Sequence, residues 1–156
     1  MDIVALIGIG VACMAAAATG ALFGPGPWYR QLDKPGWTPP DWVFPVTWTA
    51  LYVLMVWSGV RIAGSGNPMA SAALSVFAAQ ITLNGIWSPV FFGLHRMGAA
   101  MIVLACLWVA VAAQLTLYWL IDPVSGLMTV PYLVWVTLAG ALNLSVWRRN
   151  PEIAAA

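Results

Sequence analysis

The chain has 156 residues, of which 62% are hydrophobic and only 7% are charged, and its net charge is +1. A soluble domain of this size could not cover so much apolar surface, because an ordinary globular chain is about one-quarter charged. The composition therefore excludes a water-soluble protein, and the near-neutral charge gives no sign of nucleic-acid binding.

Five uncharged stretches separate the ionisable residues, and each is long enough for one helix across roughly 30 Å of hydrocarbon. The sequence predicts an all-α fold, an integral membrane bundle of five transmembrane helices. We expect a single membrane domain over 1–156, with helices near 3–23, 44–60, 69–92, 98–121 and 127–147. A lid loop is expected over 24–43.

The first predicted span carries small residues at steps of four, which predicts a close-packing ridge without chemistry. These residues are Gly8, Ala12, Ala16, Gly20 and Gly24. The run from Gly24 to Pro27 then stops the helix. Cys13 in this span and Cys106 in the fourth are expected to be free, buried thiols, because no CxxC or Cys/His cluster indicates a metal.

The loop 24–43 is the longest connection and is rich in tryptophan, proline and charge. Long loops are either functional or disordered. This loop can fold over the mouth of the bundle as a lid, or it can be a plain interfacial loop. The candidate lid residues are Trp28, Arg30, Lys34 and Trp37.

The second and third spans carry polar and aromatic side chains at helical spacing. Trp48 and Tyr52 lie one turn apart in the second span. One narrow sector of the third span holds Phe77, Gln80, Asn84, Trp87 and Phe91. We expect this sector to face inward, where it contacts a ligand or joins helices by hydrogen bonds. The opposite side has Ser71, Ser75 and Ala79, either an internal packing ridge or a homodimer contact.

The fifth span repeats the inward pattern with Tyr132, Trp135, Ala139 and Asn143. Together with the second and third spans it could line one cavity, in which Ala139 leaves room, while Pro131 bends the start of the helix. Trp48, Trp108 and Trp135 fall too deep for the interfacial aromatic belt. A deep indole needs a hydrogen-bond acceptor, which indicates a helix interface or a pocket.

Several function classes lack their usual residues. The predicted spans contain no Asp, Glu, Lys or Arg, which disfavours a pump or a retinal protein. His95 is the single histidine, so one chain cannot provide a bis-His haem site. We therefore expect no required cofactor and no metal, and binding or passive passage in place of pumping.

The basic residues are distributed unevenly between the two sides. Five spans put the termini on opposite sides, and one face then holds Arg30, Lys34, Arg96, Arg148 and Arg149. Arg61 alone lies on the other face. By the positive-inside tendency, the first loop and the C-terminus are expected to be cytoplasmic.

Four segments resemble the family of tryptophan-rich sensory proteins and translocator proteins, also called peripheral benzodiazepine receptors. They are W-Y-R-Q-L-D-K-P-G-W-T-P-P from Trp28, W-T-A-L-Y from Trp48, N-G-I-W-S-P-V-F-F-G from Asn84 and L-N-L-S-V-W-R from Leu142. The resemblance covers nearly the whole chain and includes a specific tandem of Trp-Pro motifs. It implies a bacterial member in an envelope membrane.

The resemblance implies a dimeric five-helix bundle that binds protoporphyrin IX and related tetrapyrroles, sterols and benzodiazepine-type drugs beneath the first loop. Matching positions give pocket roles to Trp48, Asn84, Trp87, Trp135, Ala139 and Asn143. Some members are proposed to degrade protoporphyrin in light through the tryptophans that match Trp48 and Trp135. Sensing, porphyrin degradation and transport of porphyrin or sterol therefore all stay open.

Two departures from the family pattern bear on the ligand. The sterol-recognition stretch has tyrosine where this chain has Leu144 and Ser145, which weakens the case for tight sterol binding. Phe44 to Trp48 reads F-P-V-T-W where F-G-P-V-W is common, so the second helix is expected to start with a shift of one residue. Lys34 and Arg30 are expected to pair with porphyrin propionates.

Overall fold

A computed structural model of the protein describes residues 3–154. In this part of the chain the helices are α1 (Ile3–Leu22), α2 (Pro27–Gln31), α3 (Val43–Ala63), α4 (Ala70–Ser88), α5 (Met97–Ile121), α6 (Pro123–Arg149) and α7 (Pro151–Ala154), and a π-helical turn (Pro89–Gly93) extends α4. The long helices α1, α3, α4, α5 and α6 are apolar enough to cross a membrane. The all-α fold with five spans is therefore confirmed, while the ends of the predicted domain, 1–2 and 155–156, lie outside the described residues.

The last span begins earlier than the sequence pattern predicts. Asp122 precedes α6, and its carboxylate accepts a hydrogen bond from the backbone N–H of Ser125 at 3.3 Å. Pro123 is the first helical residue, a position where its missing N–H costs nothing. Pro131 consequently lies inside α6 and not at the helix start, where the sequence pattern placed it.

The π-helical turn shapes one wall of the bundle. Pro89 supplies no backbone N–H, and the chain widens so that Leu94 N–H donates to the Pro89 carbonyl at 2.8 Å. The turn holds Phe91, which is buried, and Phe92, which is half-buried, with their rings 4.9 Å apart. Two adjacent aromatic residues thus face the space between the helices.

Small residues allow the spans to approach closely. A Cβ on Gly85 of α4 would lie 3.7 Å from the Ala16 Cα, and a Cβ on Gly59 of α3 would lie 2.9 Å from the Ile9 Cδ1. The ridge predicted on α1 therefore packs at Ala16, whereas its end at Gly8 is exposed. Cys13 is also buried on α1, but Cys106 is exposed on α5, so the predicted burial is wrong for that thiol.

The loop between α1 and α3 is attached to the C-terminal end of the bundle. Asp33 N–H donates to Asn150 Oδ1 at 3.0 Å, and Asn150 Nδ2 donates to the Asp33 carbonyl at 2.9 Å. Arg149 also pairs with the Asp33 carboxylate at 3.3 Å. At the opposite end of the bundle, Arg61 and Asp122 form an ion pair at 2.8 Å. The loop therefore covers one end of the five spans.

Candidate ligand-binding site

A cavity of about 560 Å³ lies between the spans beneath the loop. Its aromatic wall is formed by Tyr29, Phe44, Trp48, Tyr52, Trp87, Phe91, Phe92 and Trp135. Aliphatic and small residues of α1, α5 and α6 complete the wall. The volume falls within the range of roughly 300–1,000 Å³ found for small-molecule pockets.

The structure brings eight of the nine predicted pocket residues to this wall: Trp48, Tyr52, Asn84, Trp87, Phe91, Trp135, Ala139 and Asn143. The ninth, Tyr132, lies below the wall, where its hydroxyl is bonded to Asn84 and Gln80. Ala139 is half-buried and presents only a methyl group to the cavity. The inward sector predicted from the helical period of the third span thus faces the cavity and the layer directly below it.

The aromatic rings form ordered pairs around the cavity. Trp48 stacks on Tyr52 with ring centroids 5.4 Å apart, and Trp87 stacks on Phe91 at 5.1 Å. Trp135 meets Phe44 edge to face at 5.7 Å. Such pairing favours fixed ring positions. The cavity therefore has rigid, flat, apolar surfaces against which a planar ligand can stack.

A hydrogen-bonded chain forms the polar floor of the cavity. The Tyr52 hydroxyl donates to Asn84 Oδ1 at 2.9 Å, and Asn84 Nδ2 donates to the Tyr132 hydroxyl at 3.0 Å. Tyr132 in turn donates to Gln80 Oε1 at 2.9 Å. These bonds join α3, α4 and α6, and two of the four residues, Tyr52 and Asn84, also line the cavity.

Two residues of the wall each carry a buried polar atom that has no hydrogen-bond partner among the described residues. These atoms are the indole N–H of Trp87, a donor, and the amide Oδ1 of Asn143, an acceptor. The other amide atom of Asn143, Nδ2, donates to the Met97 carbonyl at 3.2 Å, which fixes the orientation of the amide. A buried unpaired group costs about 1–3 kcal/mol. A ligand that offers an acceptor to Trp87 and a donor to Asn143 would recover this energy.

The loop reaches the cavity through residues that sequence reasoning missed: Tyr29, Pro39 and Asp41. Tyr29 is buried, and burial together with the Asp41 carboxylate raises the pKa of its hydroxyl. The ring contacts of Tyr29 with Phe91 and Phe92, at 6.2 and 5.3 Å, hold this part of the loop against α4. An acidic residue therefore lies at the mouth of the cavity.

The four predicted lid residues lie elsewhere. Trp28 stacks on His95 at 4.2 Å, and Arg30 and Trp37 are exposed. The Lys34 ammonium donates to the carbonyls of Tyr29 and Leu32 at 2.8 and 3.3 Å. Lys34 thus stabilises the fold of the loop. Neither Lys34 nor Arg30 lines the cavity, where the expected pairing with porphyrin propionates would take place.

Two further sequence predictions concern side chains outside the cavity. Trp108 is exposed on α5, and its N–H donates to Thr137 Oγ1 of α6 at 2.8 Å, so it lies at an outer helix interface. Ser71, Ser75 and Ala79 are exposed on the outer side of α4. They are accessible to a second copy of the chain, and the dimer contact stays a prediction.

A second, more open groove of about 1030 Å³ lies on the outer surface between α1 and α3. Its wall includes Cys13, Val53 and Trp57, and Arg61 and Asp122 lie at one end. Tyr52 and Ala17 belong to the walls of both the groove and the cavity. The groove and the cavity are therefore neighbours at these two residues.

Five spans around an aromatic-lined cavity define a multi-pass membrane protein. The model of the TspO/MBR family matches residues 3–148, and the chain belongs to this family. It is 54% identical to Protein CrtK of Rhodobacter capsulatus over 90% of this chain and 89% of that protein.

Other relatives extend the family beyond that pair. The tryptophan-rich sensory protein of Cereibacter sphaeroides is 45% identical, with 92% of each chain covered. The human translocator protein is 34% identical over 79% of this chain and 75% of its own. The resemblance read from the four sequence segments is therefore confirmed, and the protein is a multi-pass member of a membrane receptor and transporter family.

Proposed function

We propose that this protein is a membrane receptor or sensor that binds protoporphyrin IX and related tetrapyrroles between its helices. Sterols and benzodiazepine-type drugs are further candidate ligands. Binding would be linked to the regulation or transport of tetrapyrroles. No cofactor is required in this proposal. A relative whose name is tryptophan-rich sensory protein supports the sensing role.

The observation that carries the proposal is the pairing of flat aromatic walls with two unpaired polar atoms in one cavity. Trp48, Trp135 and the Trp87–Phe91 pair supply stacking surfaces for a large ring. Trp87 Nε1 and Asn143 Oδ1 supply one donor and one acceptor for its polar edge. A small set of placed polar groups in an apolar pocket is typical of a specific ligand site.

Quenching of tryptophan fluorescence by protoporphyrin IX tests the proposal, because indoles line the cavity. In Ala139→Leu the larger side chain would fill ligand space, and overpacking of this kind costs about 1–3 kcal/mol, or roughly five- to 150-fold in Kd. Ala141→Leu is the matched control, since Ala141 is exposed on the same helix. Equal affinity for wild type and Ala139→Leu would contradict binding in this cavity.

Transport is a second candidate function, and the groove between α1 and α3 favours it. Groove and cavity are neighbours at Tyr52 and Ala17, so a ligand dissolved in the bilayer would have a short way in. A transporter would move labelled protoporphyrin or sterol between donor and acceptor liposomes faster than protein-free membranes do. Saturable binding without such flux would leave the sensor as the better description.

Light-dependent degradation of the porphyrin is the enzymatic alternative, because Trp48 and Trp135 lie on the cavity wall. The test is illumination of the complex with and without oxygen, for wild type and for Trp48→Phe and Trp135→Phe. Product that depends on these indoles would favour the enzyme. An unaltered pigment spectrum would exclude it.

We also propose that the protein resides in a bacterial envelope membrane, with the first loop and the C-terminus cytoplasmic. The relatives from Rhodobacter and Cereibacter and the basic residues near the loop support this placement. A cysteine introduced at exposed Trp37 should then react with a membrane-impermeant maleimide only after cells are permeabilised. Labelling in intact cells would reverse the orientation.

A further inference from the structure

The layer below the cavity holds buried polar atoms that have no partner among the described residues. They are Gln80 Nε2, both amide atoms of Gln114, and the Tyr118 hydroxyl. All three side chains are 0% exposed. A buried polar group without a hydrogen bond is costly inside a protein, and in hydrocarbon bulk water cannot relieve the cost.

The register of α5 against α6 places these residues at neighbouring heights. Trp108 of α5 donates to Thr137 of α6 at 2.8 Å, and a Cβ on Gly126 would lie 2.8 Å from the Trp119 Cα. Both contacts fix the same antiparallel register. Gln114 therefore lies at the level of Tyr132.

Gln80 reaches the same level from α4, because Tyr132 donates to its Oε1 at 2.9 Å. Tyr118 lies one turn beyond Gln114 on the same side of α5, and it packs with Ile62 of α3 and Ala73 of α4. The unpaired atoms thus belong to one buried layer between α4, α5 and α6.

The hydrogen bonds that lead into this layer all run in one direction. Tyr52 donates to Asn84, Asn84 to Tyr132 and Tyr132 to Gln80. The chain ends on a free donor, Gln80 Nε2, while Gln114 offers a free acceptor, Oε1. A water molecule can accept from the first and donate to the second, so the sequence of bonds continues without reversal.

Polar side chains continue from this layer toward the far surface. On α6, Thr129 and Ser125 lie on the same face as Tyr132, at helical steps of three and four, and both are buried. The Ser125 hydroxyl donates to Asp122 Oδ2 at 2.6 Å. Asp122 in turn pairs with Arg61 at the end of the bundle that is opposite the loop.

We propose that internal water occupies this layer and is bound by Gln80, Gln114 and Tyr118. Buried waters make about three hydrogen bonds to groups that are otherwise unpaired, and these side chains provide such partners. The site takes water, and its occupancy does not depend on the proposed function.

Hydroxyl-radical footprinting by X-ray radiolysis tests the site on the full chain in lipid nanodiscs. Radicals form from water itself, so they oxidise a buried side chain only where water lies beside it. We expect oxidation of Tyr118 in wild type despite its complete burial, with exposed Trp42 as the dose reference. A Tyr118 that stays unmodified while Trp42 is oxidised would overturn the proposal without the need for any variant.

Gln114→Leu removes two unpaired atoms at similar size, an exchange that is neutral or stabilising when no bond is lost. We expect oxidation of Tyr118 to fall severalfold in this variant. Thr116→Val is the matched control, because Thr116 lies on the exposed side of α5 and bonds only to the Ala112 carbonyl. Equal oxidation of Tyr118 in wild type and Gln114→Leu would also overturn the proposal. No ligand is added, so failure of the proposed function cannot produce either result.

Discussion

The indole N–H of Trp87 can be removed with little other change to the cavity. Trp87→Phe keeps an aromatic ring beside Phe91 and deletes a buried donor that has no partner among the described residues. We expect the Kd of a ligand with an acceptor edge, such as protoporphyrin IX, to rise about three- to tenfold, the value of one hydrogen bond. Isothermal titration calorimetry in detergent measures this change.

Trp108→Phe is the control for that prediction, because Trp108 lies on the outer side of α5 and its N–H is already bonded to Thr137. Loss of the Trp108 N–H should leave the Kd of protoporphyrin IX unchanged. A similar rise in Kd for both variants would mean that Trp87 acts through the stability of the bundle and not through a bond to the ligand.

Individual pocket residues were predictable where helical periodicity fixes a face. Asn84 and Trp87 were found because one sector of a 3.6-residue period collected polar and aromatic side chains, which lipid would reject. Depth in the span was a poorer guide. Trp108 lies at the middle of α5, yet a threonine on α6 satisfies its N–H at the outer surface. Such a partner depends on the register between two helices, which the sequence of either one does not contain.

The helices α5 and α6 approach closely where Gly126 meets Trp119. A Cβ at this position would lie 2.8 Å from the Trp119 Cα, which is backbone and cannot turn aside. Gly126→Ala should therefore lower stability by about 1–3 kcal/mol, the usual cost of overpacking. Thermal unfolding followed by circular dichroism in one detergent would report a lower Tm.

Gly140→Ala on the same helix is the comparison, since a Cβ there meets nothing within 4 Å. It should raise stability by up to about 1 kcal/mol through helix propensity. If both variants shift Tm in the same direction, the short distance at Gly126 does not determine the packing of α5 on α6.

The helices themselves were largely predictable, because hydrocarbon thickness sets the length of an apolar span. The errors lie at their ends. Asp122-Pro123 is a recognisable helix start, but the span was placed from hydrophobicity, so the start was set four residues late. Helix α2 was missed because Gly and Pro were read as helix breakers, although Pro27 at the first helical position is compatible with a helix. The π-helical turn begins at Pro89, and the hydrophobic pattern did not predict it.

An ion pair closes the end of the bundle that is opposite the loop. The Arg61 guanidinium and the Ser125 hydroxyl hold the pKa of Asp122 well below its usual range. A lowered pKa means that the pair stabilises the fold above the unfolded-state pKa of about 3.9 and that this contribution is lost as pH falls below it. The effect is modest, since the Arg61 side chain is 41% exposed.

Asp122→Asn should therefore have a lower Tm than wild type at pH 7, and the difference should shrink as the pH falls from about 5 to about 3. The two proteins differ only in the titrating group at position 122. The other carboxylates contribute equally to both Tm values and cancel in the difference. A difference that stays constant over this range would show that the charge of Asp122 does not contribute to stability.

The outer face of α4 is the predicted dimer contact. Ser71, Ser75 and Ala79 are exposed there, and small residues at steps of four let two helices approach closely across a membrane. We expect Ser75→Cys, in a Cys106→Ala background, to form a disulfide-linked dimer when membranes are oxidised.

Cys106 on the exposed side of α5 provides the matched control, because wild type offers an equally accessible thiol on another helix. Crosslinking of wild type through Cys106 at the same rate would reflect random collision, and crosslinking at neither position would place the dimer contact elsewhere.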